Sequence, residues 1–261
     1  MYIEMWKNSF KQCLVYRANT IIRLFTSFVY LFVTVNIWQA LYRNIDMVDG
    51  VSLSHMITYV LIVQILVCFR RLQLSRYYGQ RIIDGNVSID FIRPVSLKYS
   101  AFATVSGDVA FQIIFFSLPM LVLGVILWGF LLPTAIWQWV MFFVSASLGA
   151  LVYASIEYIM SLTVFWTKTA FHIEWFIGAL FTLFSGAMVP LWFYPDWLRG
   201  VANMLPFRFV IFEPANIFVG NAGFEQALLV AVFQLIWILA LNIAGHFIWQ
   251  RAQLVVTVQG G

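Results

Sequence analysis

The sequence predicts an all-α membrane protein with six transmembrane helices, an N-terminal amphipathic interfacial helix and a broken, re-entrant outer segment. Three observations carry this. Apolar residues make up 62% of the chain, and the mean hydropathy is +0.89. Charged residues make up 10%, against roughly 25% in an average soluble domain. Several apolar runs also reach the ~20 residues a helix needs to cross a hydrocarbon core about 30 Å thick. Lipid supplies no partner for backbone N–H and C=O groups, so only helices or a closed barrel can span it, and the ~10-residue alternating strands of a barrel are absent.

The first twenty residues are basic and interrupted by polar side chains, so no cleavable signal peptide is expected. Ile3, Trp6, Phe10, Cys13 and Leu14 recur at helical spacing, with Lys7, Asn8, Lys11 and Gln12 largely on other faces. That pattern suits a helix over 1–20 lying in the membrane interface. Spans are then expected over 21–41, 51–69, 101–127, 137–159, 171–189 and 227–248. Between the last two, residues 190–220 are too apolar for an exposed loop. Pro190, Pro195, Pro206 and Pro214 forbid one long helix there, because proline lacks a donor and clashes with the preceding turn. Short helical pieces dipping into the outer leaflet are expected, with Trp192, Tyr194 and Trp197 at headgroup level.

Orientation follows from Lys and Arg. Lys7, Lys11, Arg17, Arg23, Arg70, Arg71, Arg76, Arg81, Arg93, Lys98, Lys168 and Arg251 fall on one side. Arg43, Arg199 and Arg208 are left for the other. The positive-inside rule makes the richer side cytoplasmic, with both termini and the 70–100 loop on it. Cys13 and Cys68 are far apart on that side, so neither a disulfide nor a metal site is expected.

Catalytic signatures are missing. No G-x-x-x-x-G-K-[ST] loop is present to cradle nucleotide phosphates, and no H-E-x-x-H is present to hold zinc. Asp108 has no second aspartate in another span, and His172 and Glu174, two apart, face different ways on a helix. The chain is therefore not expected to be an enzyme. Asp108 is the one carboxylate clearly inside an expected span, within reach of Arg93, Lys98 or water at the membrane edge.

Three blocks bear on function. The first is "IIDGNVSIDFIRPVS", with Ile82, Ile83, Gly85, Ile89, Phe91, Ile92, Arg93 and Pro94. The second begins with "FW" at 165–166 and continues in "SGAMVPLWFYPDWLRGVANMLPFRFVIFEPANIFVG". It includes Gly186, Pro190, Leu191, Pro195, Leu198, Pro206, Phe207, Pro214 and Gly220. The third is the closing "VQGG". In order, and with six spans, they resemble the membrane subunit (permease) of the type-2 family of ABC exporters, in its short six-span branch, over essentially the whole chain.

The resemblance implies that 79–96 forms a cytoplasmic coupling helix docking in a groove of a separate ATPase subunit. Ile82, Ile83, Ile89, Phe91 and Ile92 would be its apolar knobs, and Arg81, Asp84, Asp90 and Arg93 would fix its register. Pro94 would end the helix, and Lys168, in the turn between spans four and five, would add a second contact. It further implies two ATPase subunits carrying ATP and Mg²⁺, a second permease chain, identical or sister, and a bacterial cytoplasmic membrane. This chain would bind no cofactor and no nucleic acid. The path is expected at the permease–permease interface on spans one, two and five. Phe25, Phe28, Phe32, Phe176, Phe181 and Phe184 are its candidate wall, and Gly186, Pro190, Pro195, Pro206, Phe207 and Pro214 its outer gate. Such a wall suits a hydrophobic or amphipathic cargo. An ion- or proton-coupled transporter or channel, and a non-transport membrane anchor or sensor, are the alternatives.

Overall fold

The computed structural model describes residues 1–15, 17–48, 50–84 and 96–255. Among them, five helical segments are long and apolar enough to cross a membrane: Thr20–Leu41, Leu53–Ile83, Leu97–Trp128, Ile136–Thr167 and Phe224–Val255. In finer detail the helices are α1 (Tyr2–Val15), α2 (Arg17–Leu41), α3 (Leu53–Leu66), α4 (Leu74–Ile83), α5 (Leu97–Gln112) and α6 (Leu118–Trp128). They continue as α7 (Ile136–Leu162), α8 (Val164–Thr167), α9 (Phe171–Phe184), α10 (Asp196–Met204), α11 (Phe212–Phe218) and α12 (Phe224–Val255). The only strands among the described residues are β1 (Met47–Val48) and β2 (Val51–Ser52). They form an antiparallel hairpin whose turn contains Gly50 at φ +77°.

Within the expected span over 171–189 the helix is shorter than the apolar run. Its helix, α9, has 14 residues, about 21 Å at 1.5 Å per residue, and is too short to cross the hydrocarbon alone. It stops because Gly186 takes φ +79°, a left-handed conformation in which a helix cannot continue. The third expected span is continuous through a π-helical turn, Ile113–Ser117. That turn precedes Pro119 and relieves the clash its ring would make with the previous turn.

α3 and α7 form the interior. α12 and α11 pack on α7, α6 and α2 on α3, and α4 against α7 and α5. α2 and α12 present exposed apolar side chains such as Ile21, Val33 and Ile37, and Leu229, Leu239 and Ile243.

α1 packs along α5. At Gly107 a Cβ would lie 2.6 Å from the Trp6 carbonyl oxygen and 2.9 Å from Ser9 Cβ, so the two helices touch through backbone. The Ser9 hydroxyl donates to Asp108 Oδ1 at 2.7 Å and the Cys13 thiol to the same oxygen at 3.2 Å. Phe10 stacks edge-on against Phe111. The packed face is thus Trp6, Ser9, Phe10 and Cys13, while Ile3 and Leu14 stay exposed. Asp108 holds α1; of the partners expected within its reach, Arg93 lies outside the described residues. Lys98 donates to Asn242 at 2.9 Å instead. Burial, and then the Asp108 carboxylate, push the Cys13 thiol up to about 12, which leaves almost no reactive thiolate at neutral pH. Maleimide labelling of Cys13 at pH 7.5 is expected to be far slower than for a peptide thiol. Gly107→Leu, which dislodges α1, is expected to speed it at least tenfold, read by mass spectrometry of the labelled chain.

The proline-rich segment is broken as its composition demands. Pro190 precedes a 3-10 turn at Leu191–Phe193, Pro195 precedes α10, Pro206 opens a second 3-10 turn at Pro206–Phe209, and Pro214 sits in the first turn of α11. Each proline falls where its missing N–H would have no intrahelical partner. Side chains satisfy the irregular backbone, as an apolar setting requires. Arg199 donates to the carbonyls of Leu191, Trp192 and Tyr194. The fully buried Gln234 donates to the Phe209 carbonyl at 2.8 Å and to Ser145. Arg208 pairs with the buried Glu213.

Candidate functional site

Two clefts lie side by side between α2, α3 and α9. One, of about 810 Å³, follows α9 from Arg76, Phe171 and Glu174 to Tyr194, Pro195 and Leu198. The other, of about 790 Å³, lies between α2 and α3 and is lined by Arg23, Thr26, Tyr30, Gln64, Arg71 and Gln112. Arg70, Gln73, Thr182 and Met188 line both, so the two form one groove. Gly178 and Ala179 hollow its wall; a Cβ on Gly178 would come 3.4 Å from the Arg70 guanidinium.

One end of the groove is basic. Arg23 lies 4.3 Å over the Phe116 ring and donates to Gln112 at 2.5 Å. Arg70 lies over Phe181, at 5.8 Å from its centroid. Arg76 grips Glu174 with two bonds of 3.2 and 2.7 Å. Among the described residues, neither Arg70 nor Arg71 has an ion-pair partner.

Beyond that end, α4 is held by three other elements. In its first turn, the Ser75 hydroxyl donates to the buried carboxylate of Glu157 on α7 at 3.3 Å. Glu157 thus brings a carboxyl group from another helix to the N-terminus of α4, where Gln73 makes no side-chain cap. Arg76 ties α4 to α9. At Gly79 a Cβ would sit 3.0 Å from Ala170 Cβ, which presses α4 against the turn where Lys168 adopts φ 56°. Tyr78 packs on Phe165, and Phe165 on Trp249 of α12.

Of the expected coupling residues, Ile82 is half-buried, Ile83 is 73% exposed and Asp84 is exposed at the end of α4. Exposed Lys168 lies in the turn that α4 packs on, so the structure brings these two expected contacts to one end of the molecule. Gly85, Ile89, Phe91, Ile92, Arg93 and Pro94 lie outside the described residues. Among the six candidate wall residues, Phe25, Phe32 and Phe176 are exposed and Phe28 is half-buried. Phe181 and Phe184, by contrast, are buried in the chain's own core, Phe181 against Tyr153. At the proline-rich end, Gly186, Pro190, Pro206, Phe207 and Pro214 are buried and Pro195 is exposed. Sequence reasoning placed Glu157 only near a turn and passed over Ser75 and the groove arginines as a set. Only the close spacing of Arg70, Arg71 and Arg76 had signalled the arginines.

A helical, multi-pass membrane protein with a polar-ended groove between its helices is the class these features define. Residues 28–260 match the family model described as ABC-2 family transporter protein, and the chain belongs to that family. It is accordingly a membrane permease of an ABC transporter. Comparison with curated proteins gave no match.

Proposed function

We propose that the chain is the permease half of an ATP-driven exporter that moves a hydrophobic or amphipathic substrate out of the cytoplasm or inner leaflet. In this reading it makes six crossings of a bacterial cytoplasmic membrane with both termini inside, α9 and the broken segment together supplying the fifth. It pairs with a second permease, identical or sister, and with two copies of a separate ATPase that bind ATP and Mg²⁺. The observation that carries the reading is the clasp on α4. The helix that leads into the coupling segment is bound at once to α7, to the Lys168 turn and to α9. A push on its exposed end at Ile83 is thereby delivered to the helix that walls the groove. ATP binding closes the ATPase pair, α4 moves with it, and the groove changes the side it faces. Energetically this is a rigid-body switch driven by differential affinity for two states. The proline-rich segment around Gly186 is the outer gate, and exposed Phe25, Phe32 and Phe176 belong to the path wall.

The ion-coupled alternative needs a free carboxylate deep in the bundle. Asp108 is engaged by Ser9 and Cys13, and Glu157 by the head of α4.

The test is the intact mass of the complex purified in mild detergent from cells that express the neighbouring gene set. Two permeases with two nucleotide-binding chains are expected, reduced to permeases alone by Ile83→Asp together with Phe91→Asp. A monodisperse particle that never carries an ATPase would overturn the reading.

A further inference from the structure

The groove's two ends differ in chemistry, and the difference defines a ligand class. At the basic end its lining holds Arg23, Arg70, Arg71 and Arg76 against a single carboxylate, Glu174, already bound to Arg76. Arg71 feels the like charges of Arg23, Arg76 and Arg70 together. Asp108, the acid that offsets Arg23 and Arg71, spends its Oδ1 on Ser9 and Cys13. Guanidinium groups crowded in a partly desolvated cleft are stabilised by an anion that accepts in their fork geometry, a phosphate or carboxylate group. Away from this end the wall is apolar, with Trp175, Leu183, Met188, Val189, Phe193 and Leu198. Glycine and alanine at 178 and 179 keep room beside it. A small inorganic anion would leave that wall unused, and a neutral hydrophobe would leave the arginines unneutralised.

We propose that the groove binds an amphipathic anion. Its phosphate or carboxylate headgroup lies among Arg23, Arg70 and Arg71, and its aliphatic or aromatic body lies along α9 toward the proline-rich segment. This rests on the exporter reading for what is moved, but the binding site stands on the groove alone. Each cleft, at about 800 Å³, lies within the ~300–1,000 Å³ of ordinary small-molecule sites.

The experiment is calorimetric titration of the full chain, with any co-purifying subunits, in nanodiscs of phosphatidylcholine, with empty nanodiscs as the blank. Dodecyl phosphate is expected to bind saturably and at least tenfold more tightly than dodecylphosphocholine or inorganic phosphate. Arg70→Gln with Arg71→Gln should remove that preference, and the exposed Arg70→Gln alone should reduce it severalfold if the double variant fails to fold. Leu198→Asn, at the far end of the apolar wall, should weaken dodecyl phosphate and leave inorganic phosphate unchanged. Repeating the titration in nanodiscs containing phosphatidylglycerol separates the two sources of such a headgroup. Competition assigns the site to a membrane lipid, and its absence to a free amphiphile. Equal affinity for the zwitterion or for bare phosphate, or an unchanged preference in the folded arginine variants, overturns the proposal. Because binding is read without ATP, loss of the ATPase partner sinks the exporter reading and leaves this result legible.

Discussion

Gly186→Ala is expected to destabilise the protein by about 3–5 kcal/mol, a size reached only when several mechanisms coincide. At φ +79° any side chain is strained. The added Cβ would also lie 2.8 Å from the Tyr59 hydroxyl and 3.0 Å from Phe212 Cβ. The Tyr59 hydroxyl donates to the Gly186 carbonyl at 2.8 Å, and the Phe212 N–H donates to the Ser185 carbonyl at 3.0 Å. One methyl group therefore strains the end of α9, its bond to α3 and its bond to α11 together. For a chain of this size the thermal midpoint in detergent should fall by roughly 10 °C. Pairing Gly186→Ala with Tyr59→Phe tests the cause. If the hydroxyl contact dominates, the double variant loses clearly less than the sum of the two single ones. Strict additivity would leave backbone strain as the explanation.

Glu157→Leu is the second large effect expected. Leucine keeps the volume and removes the acceptor, so the buried Ser75 hydroxyl loses its partner. Orphaning that buried donor is expected to cost about 1–3 kcal/mol. Glu157→Gln retains one acceptor oxygen and should lose about half as much. The decisive reading is amide hydrogen exchange. Protection should drop at the start of α4, around 74–77, and stay unchanged in the middle of α12. Uniform loss along the chain would make Glu157 a core-packing residue with no particular hold on α4. In an assembled transporter, Glu157→Leu should also leave ATP hydrolysis intact and uncouple it from transport.

The long spans were legible because crossing a bilayer demands about twenty apolar residues in succession, a local property. The breaks at Pro190, Pro195, Pro206 and Pro214 were legible for a similar reason, since proline acts on its own turn whatever surrounds it. Residues 171–189 misled because their composition is apolar to the end. The helix stops five residues early at a glycine whose left-handed φ is held by Tyr59 and Phe212, from distant parts of the chain.

Helix rotation was the main loss. Phe176, Phe181 and Phe184 are equally apolar, yet one is exposed and two are buried. Lipid and protein interior reward the same side chains, so the usual amphipathic stripe that tells inside from outside is missing in a span. Ser9 and Glu157 escaped for the complementary reason. Each satisfies a polar group contributed by a remote helix, Asp108 in one case and the head of α4 in the other.

From composition and local chain chemistry alone came the membrane class, the long helices and the broken proline-rich segment. Each depends on a residue and its immediate neighbours meeting lipid or water. Which faces meet, that α4 is held from α7, and that Arg23 joins Arg70, Arg71 and Arg76 along one groove are set by packing between helices. Packing depends on contacts such as Gly107 on Trp6 and Gly79 on Ala170, made between residues far apart in the chain and therefore written in no single stretch of it.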